Sequence, residues 1–143
     1  MSDKHTKVIA YCRVASAVQQ QDDKAYETQK YQLNKAAANS NHEIVAWFED
    51  LGSATDPFSN SELQEAHDFC MDNPEIKHLL ATEPNRISRT LEGFYYWQHS
   101  FSAHGVTFRF TNMNVEDYEQ HLINMAVKGF ITRNRTPKKA KEA

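Results

Sequence analysis

Apolar residues fall into four short runs along this chain, and longer stretches with helical spacing lie between them. Residues 7–14 (KVIAYCRV) are largely apolar and partly β-branched, which predicts a buried strand. Residues 43–50 (EIVAWFED) form a second run ending in two acids, 76–82 (IKHLLAT) a third, and 106–112 (VTFRFTN) a fourth with clean alternation. Between them, 25–39 carries Tyr31, Leu33, Ala36 and Ala37 on a modest helical face. Segment 51–60 is rich in Gly, Ser, Asp and Pro and reads as a loop. Ser61 is a plausible N-cap for a helix over 61–73, with Pro74 beyond its end. Residues 89–104 place Leu91, Phe94, Trp97 and Phe101 at helical spacing and stop at Gly105, and 115–133 forms a last helix.

Strands alternating with helices predict an α/β fold. Its core is a mainly parallel sheet of four to five strands with helices on both faces, followed by a C-terminal helix. The pattern divides the chain into a body over 1–112, a helix over 113–133 and a basic tail over 134–143. In such sheets ligands sit at the carboxyl ends of the strands. Arg13, Asp50, Arg86 and Arg89 all fall at or just past such an end. A single strand-end arginine is more often a surface ion-pair partner. Three that converge point to an anion, because the planar guanidinium fork matches phosphate oxygens.

Composition narrows the classes further. At 40% hydrophobic and 24% charged, 143 residues suit one globular body with a real core. No apolar run approaches the length of a membrane span, and no leader pattern opens the chain, so a cytoplasmic protein is expected. Net charge is −3, yet from Lys128 onward six basic residues face one acid. The acidic body is a poor general polyanion binder, whereas the tail suits phosphate contacts or simply a solvated end. Cys12 and Cys70 lack metal-type spacing and read as buried free thiols. His67 and Cys70 lie one helical turn apart, but two ligands do not make a zinc site, so no metal is expected. The aromatic set Phe94, Tyr95, Tyr96, Trp97 and Phe101 reads as core packing before base stacking. No glycine follows the first strand between Ala15 and Gln21, which argues against a nucleotide-binding loop.

Two motifs, Tyr11-Cys12-Arg13-Val14-Ala15-Ser16 and Asn85-Arg86-Ile87-Ser88-Arg89, resemble the resolvase/invertase (serine recombinase) catalytic domain. That family reads Tyr-x-Arg-Val-Ser at the first place and Asp-Arg-Leu-Ser-Arg at the second. The resemblance implies a site-specific DNA recombinase that cleaves and rejoins strands through a phosphoserine intermediate, without a cofactor. It implies phosphate-binding roles for Arg13, Arg86 and Arg89, with Asp50 as the acid closing the second strand. Gln19 and Gln29 match substrate-side glutamines. It also implies a homodimer through the last helix and DNA as partner. Three departures stand out: Ala15 occupies the nucleophile position, Asn85 replaces an aspartate, and Ser59 or Asn60 stands where a loop arginine is usual. Ser16 is the nearest hydroxyl, but adjacent residues of an extended chain point to opposite faces. The expectation is therefore a recombinase-like domain with impaired strand cleavage and no DNA-reading region after it. The alternative is a non-catalytic dimerising module that acts with a partner protein.

Overall fold

The computed structural model describes residues 5–14, 24–52, 61–113, 117, 120–124 and 126–128. Four parallel strands, β1 (Thr6–Val14), β2 (His42–Leu51), β3 (His78–Ala81) and β4 (Thr107–Phe110), form one sheet in the order β2-β1-β3-β4. Between them run α1 (Lys24–Asn39), α2 (Ser61–Asp72) and α3 (Leu91–Ser102), with a 3-10 turn over Pro84–Arg86. The expected α/β class is therefore observed, with four strands and all pairings parallel. Met1–Asn112 and Met113–Ala143 are two compact units. In the second, residues 120–124 and 126–128 are helical, and Gln120 donates to Asn124 Oδ1 at 3.0 Å.

Each sheet face has its own core. Val8, Ala10 and Cys12 of β1 pack with Leu80 against Leu33 and Ala37 of α1, joined by Tyr26, Ile44 and Trp47. The opposite face carries Ile9, Tyr11 and Leu79, and α2 and α3 supply buried Leu63, Ala66, Cys70, Phe94, Trp97 and Phe101. Of the α3 aromatic set, three are thus core, as expected, whereas Tyr95 and Tyr96 are exposed. Both cysteines are free and buried. Burial pushes the Cys12 thiol up to about 12 and the Cys70 thiol to about 11.

One irregularity matters for the site. Val8 pairs with Ile44 but Ile9 pairs with Ala46, so β2 carries an extra residue at Val45. This bulge inverts the alternation of β2. Ile44 and Trp47 consequently share the α1 face, and Phe48 and Asp50 turn to the face of Tyr11 and Arg13.

Helix ends also differ from expectation. Ser61 opens α2 instead of capping it, and the capping oxygens come from β2: Asp50 Oδ1 accepts from Glu62 N at 3.1 Å and Oδ2 from Leu63 N at 3.2 Å. At α3 the cap is local, with Thr90 Oγ1 accepting from Gly93 N at 3.1 Å. After α3, Gly105 takes φ +77°, and Val106 N donates back to Phe101 O at 3.1 Å, so the expected glycine stop is observed.

Candidate functional site at the carboxyl end of the sheet

Parallel pairing sets Arg13 directly beside Asp50 at the ends of β1 and β2. Both are almost fully buried, with Arg13 3% and Asp50 5% exposed. Arg13 Nη2 lies 3.9 Å from Asp50 Oδ2, Nε donates to the Tyr11 hydroxyl at 3.3 Å, and Nη1 donates to Gly52 O. The Tyr11 hydroxyl in turn donates to Asp50 Oδ2 at 2.8 Å. Burial, with the Asp50 charge adding to it, pushes the Tyr11 hydroxyl far above its ordinary value, so it stays protonated and able to donate. Tyr26 closes the ring from α1, donating to Asp50 O at 2.9 Å.

Asp50 therefore joins three elements. It accepts from two amides at the start of α2, where the helix dipole favours an anion, and it faces a buried guanidinium on β1. A carboxylate so occupied is suited to holding Arg13 and α2 in fixed relation. It is poorly suited to proton transfer.

Gln29 reads the backbone of the same residue. Its Oε1 accepts from Arg13 N at 3.1 Å and its Nε2 donates to Arg13 O at 3.0 Å, as a neighbouring strand would. Arg86 reaches the same carbonyl, Nη1 donating at 3.0 Å. Arg13 and Arg86, 73 residues apart in sequence, thus meet where β1 leaves the sheet. Glu83 flanks Arg86: its Oε1 lies 3.3 Å from Arg86 Nε at partly exposed positions, an ion pair by distance in which Nε finds no aligned hydrogen bond. The Arg89 side chain is exposed and has no ion pair or hydrogen bond among the described residues. Each of the first two arginines has a carboxylate beside it, so the charge most open to an added anion sits on Arg89 and on the outer part of Arg86.

The turn between these arginines is rigidly built. Ser88 is buried, and its Oγ accepts from Thr90 N at 3.2 Å. A Cβ on Gly93 would lie 2.3 Å from Ser88 Oγ and 2.8 Å from Thr90 Oγ1, so glycine is what lets α3 start against this turn. Ala15, Ser16 and Gln19, and Ser59 and Asn60, lie outside the described residues. The structure thus gathers Arg13, Gln29, Asp50 and Arg86 and leaves Arg89 at the surface. The first motif contains Tyr11 without assigning it a role, and Tyr26 and Gly52 stand outside both motifs. Tyr11 alone had a signal, standing two residues before Arg13 and hence on the same strand face. No group of three or more potential metal ligands occurs among the described residues.

The family model "Resolvase, N terminal domain" matches residues 8–133. The fold is similar to that of a resolvase family site-specific recombinase from Streptococcus pneumoniae, with TM-score 0.67 and 19% identity over 97% of this chain and 95% of that one. It is also similar to the N-terminal catalytic domain of TP901-1 integrase, with TM-score 0.65 and 18% identity over 90% of this chain and 97% of that one. The C-terminal catalytic domain of ISC1926 TnpA, an IS607-like serine recombinase, gives TM-score 0.64 and 23% identity, covering 85% and 79%. A search of curated proteins found no match. The motifs at Arg13 and Arg86, the parallel sheet that brings them together, and a family match spanning most of the chain agree: the chain belongs to the resolvase N-terminal domain family and has the fold of serine recombinase catalytic domains.

Proposed function

We propose that this chain is a DNA-binding recombinase domain whose own strand-cleaving chemistry is impaired. The observation that carries this reading is Ala15, one residue beyond β1, at the position where the family resemblance calls for the nucleophilic serine. Loss of a nucleophile commonly lowers turnover by about 10⁶-fold. In this reading Arg86 and Arg89 contact a DNA phosphate, and Arg13 supports them indirectly by ordering the end of β1 with Asp50 and Gln29. The basic residues after Lys128 add salt-sensitive phosphate contacts, which read the backbone and not the bases.

A second reading, a non-catalytic module that dimerises or acts with a partner recombinase, draws on the helix after Met113. Ile123 and Val127 are exposed there, one turn apart, as a helix awaiting an apolar partner would show them. Pairing with a second copy through 113–133 is compatible with either reading.

A duplex carrying a 5′-bridging phosphorothiolate tests the first. The wild-type chain should give no covalent adduct, and Ala15→Ser should give a detectable one. Wild-type trapping through Ser16 would overturn the proposed impairment. Duplex binding with a steep salt dependence supports the DNA-binding reading, and its absence favours the interaction module.

A further inference from the structure

The opposite, amino-terminal end of the sheet carries a polar cluster that the strand-end arginines do not involve. His42 opens β2, His78 opens β3 and Thr107 opens β4. His78 pairs with Thr107 and Leu80 with Arg109. Leu80 and Ile44 lie in the core beneath α1, so strand alternation sets His42, His78, Thr107 and Arg109 on that same face. Helix α1 packs over β1, β2 and β3. On β4, Thr107 and Arg109 are exposed.

Two features distinguish this cluster from ordinary surface residues. The imidazoles of His42 and His78 approach across the start of β1, with ring centroids 5.4 Å apart and planes tilted by 33°. Arg109 has no ion pair or hydrogen bond among the described residues, although the chain as a whole is acidic. Burial lowers the pKa of both histidines and Arg109 lowers them further, with His42 adding to the effect at His78. Among the described residues no carboxylate contributes to either histidine. The strand neighbours of the pair are uncharged: Thr6 of β1 pairs with His42, and Thr107 of β4 pairs with His78.

The hydrogen bonding of His78 leaves one ring nitrogen for a ligand. Thr107 Oγ1 lies 2.9 Å from His78 Nδ1 and 3.5 Å from Lys77 O. If the hydroxyl donates to the carbonyl it accepts from Nδ1–H, so Nε2 is the nitrogen that takes up a proton. Two half-buried imidazoles and an arginine without a counter-ion repel one another when all are charged. A shared anion reverses that balance, since each imidazolium then becomes a donor beside the guanidinium fork.

We propose that His42, His78 and Arg109 form a binding site for a tetrahedral oxyanion, chemically a phosphate group. Three cationic donors suit an ion with several oxygens better than a planar carboxylate. Binding is proton-linked: the bound anion draws protons onto the histidines, so a phosphodiester, whose single charge is constant over this range, is held about tenfold more tightly near pH 6 than near pH 8, whereas free phosphate gives up part of that gain by taking a proton itself. The phosphate can be free in solution or part of a nucleic-acid backbone, and the same donors serve both. The site lies at the other end of the strands from Arg13 and Arg86, so it stands or falls separately from the proposed cleavage chemistry.

Histidine titration by NMR, on the intact chain with inorganic phosphate and then with a short DNA duplex as probes, tests this. Phosphate should move the His42 and His78 titrations upward and leave His99 unmoved. Arg109→Gln should abolish the effect, and Arg109→Lys should restore part of it. Movement with both probes assigns the site to a nucleic-acid phosphate as well as the free ion; movement with phosphate alone confines it to the free ion. Unmoved titrations with both probes, or an effect that persists in Arg109→Gln, would overturn the assignment. Arg109 is exposed, so its replacement leaves the core intact, and an unchanged amide spectrum verifies this.

Discussion

Replacing Asp50 by alanine is the most informative single perturbation of the sheet's carboxyl end. The change removes the carboxylate beside buried Arg13, the acceptor of the Tyr11 hydroxyl and both capping oxygens of α2. Breaking a buried ion pair from one side costs about 3–5 kcal/mol, because the remaining charge stays desolvated. Loss of a helix cap alone costs about 1 kcal/mol. Both losses arise from one carboxylate and overlap, so the expected total is about 4–5 kcal/mol. A domain of this size has about 5–15 kcal/mol in all, and Asp50→Ala should therefore sit near the edge of folding. Asp50→Asn keeps one oxygen for an amide and should lose about 2 kcal/mol. Urea unfolding followed by the fluorescence of Trp47 and Trp97 measures both variants. A double-mutant cycle with Tyr11→Phe should show coupling of about 1 kcal/mol. An Asp50→Ala chain less than about 1 kcal/mol weaker than wild type would refute the reasoning, since that is what an exposed pair contributes.

Other perturbations address separate parts of the molecule. Gly93→Ala drives a methyl group into Ser88 Oγ and Thr90 Oγ1; it should cost about 1–3 kcal/mol despite alanine's better helix propensity, and Ser88→Gly in the same chain should recover part of it in thermal unfolding. Cys12 and Cys70, buried with raised thiol pKa values, should resist a disulfide reagent at neutral pH and react only after denaturation; rapid native reaction would contradict their burial. The same thiols keep their protons in the folded state, so stability should fall as pH rises from 9 through about 12, more steeply than in Cys12→Ala. His42 and His78 have folded values below 6.5, so the unfolded chain binds more protons near that pH. Stability should be intact above about pH 6.5 and decline as pH falls below it, less so in Arg109→Gln, as thermal midpoints across a pH series would show.

Much of the architecture was legible in the residues. The four strands and three helices of the body lie within a few positions of where the hydrophobic periods put them, because period 2 and period 3.6 are local properties. The glycine stop after α3 is equally local. The carboxyl-end arginines could be located for the same reason: Arg13 ends a run of buried residues, and Arg86 follows one. Local pattern did not reveal the 3-10 turn at Pro84–Arg86, and it assigned the cap of α2 to its own Ser61. Among the described residues the capping oxygens are those of Asp50 on β2.

What only the tertiary structure decided is which groups face which. By alternation alone Ile44 and Asp50 belong to one face of β2; the extra residue at Val45 separates them and turns Asp50 toward Arg13. The order β2-β1-β3-β4 then lets Gln29 and Arg86 donate to the same carbonyl. It also sets His42 against His78 across an intervening strand. None of these depends on neighbours in sequence. Each depends on register between segments brought together by burial, and register is a property of the packed sheet that no single strand encodes.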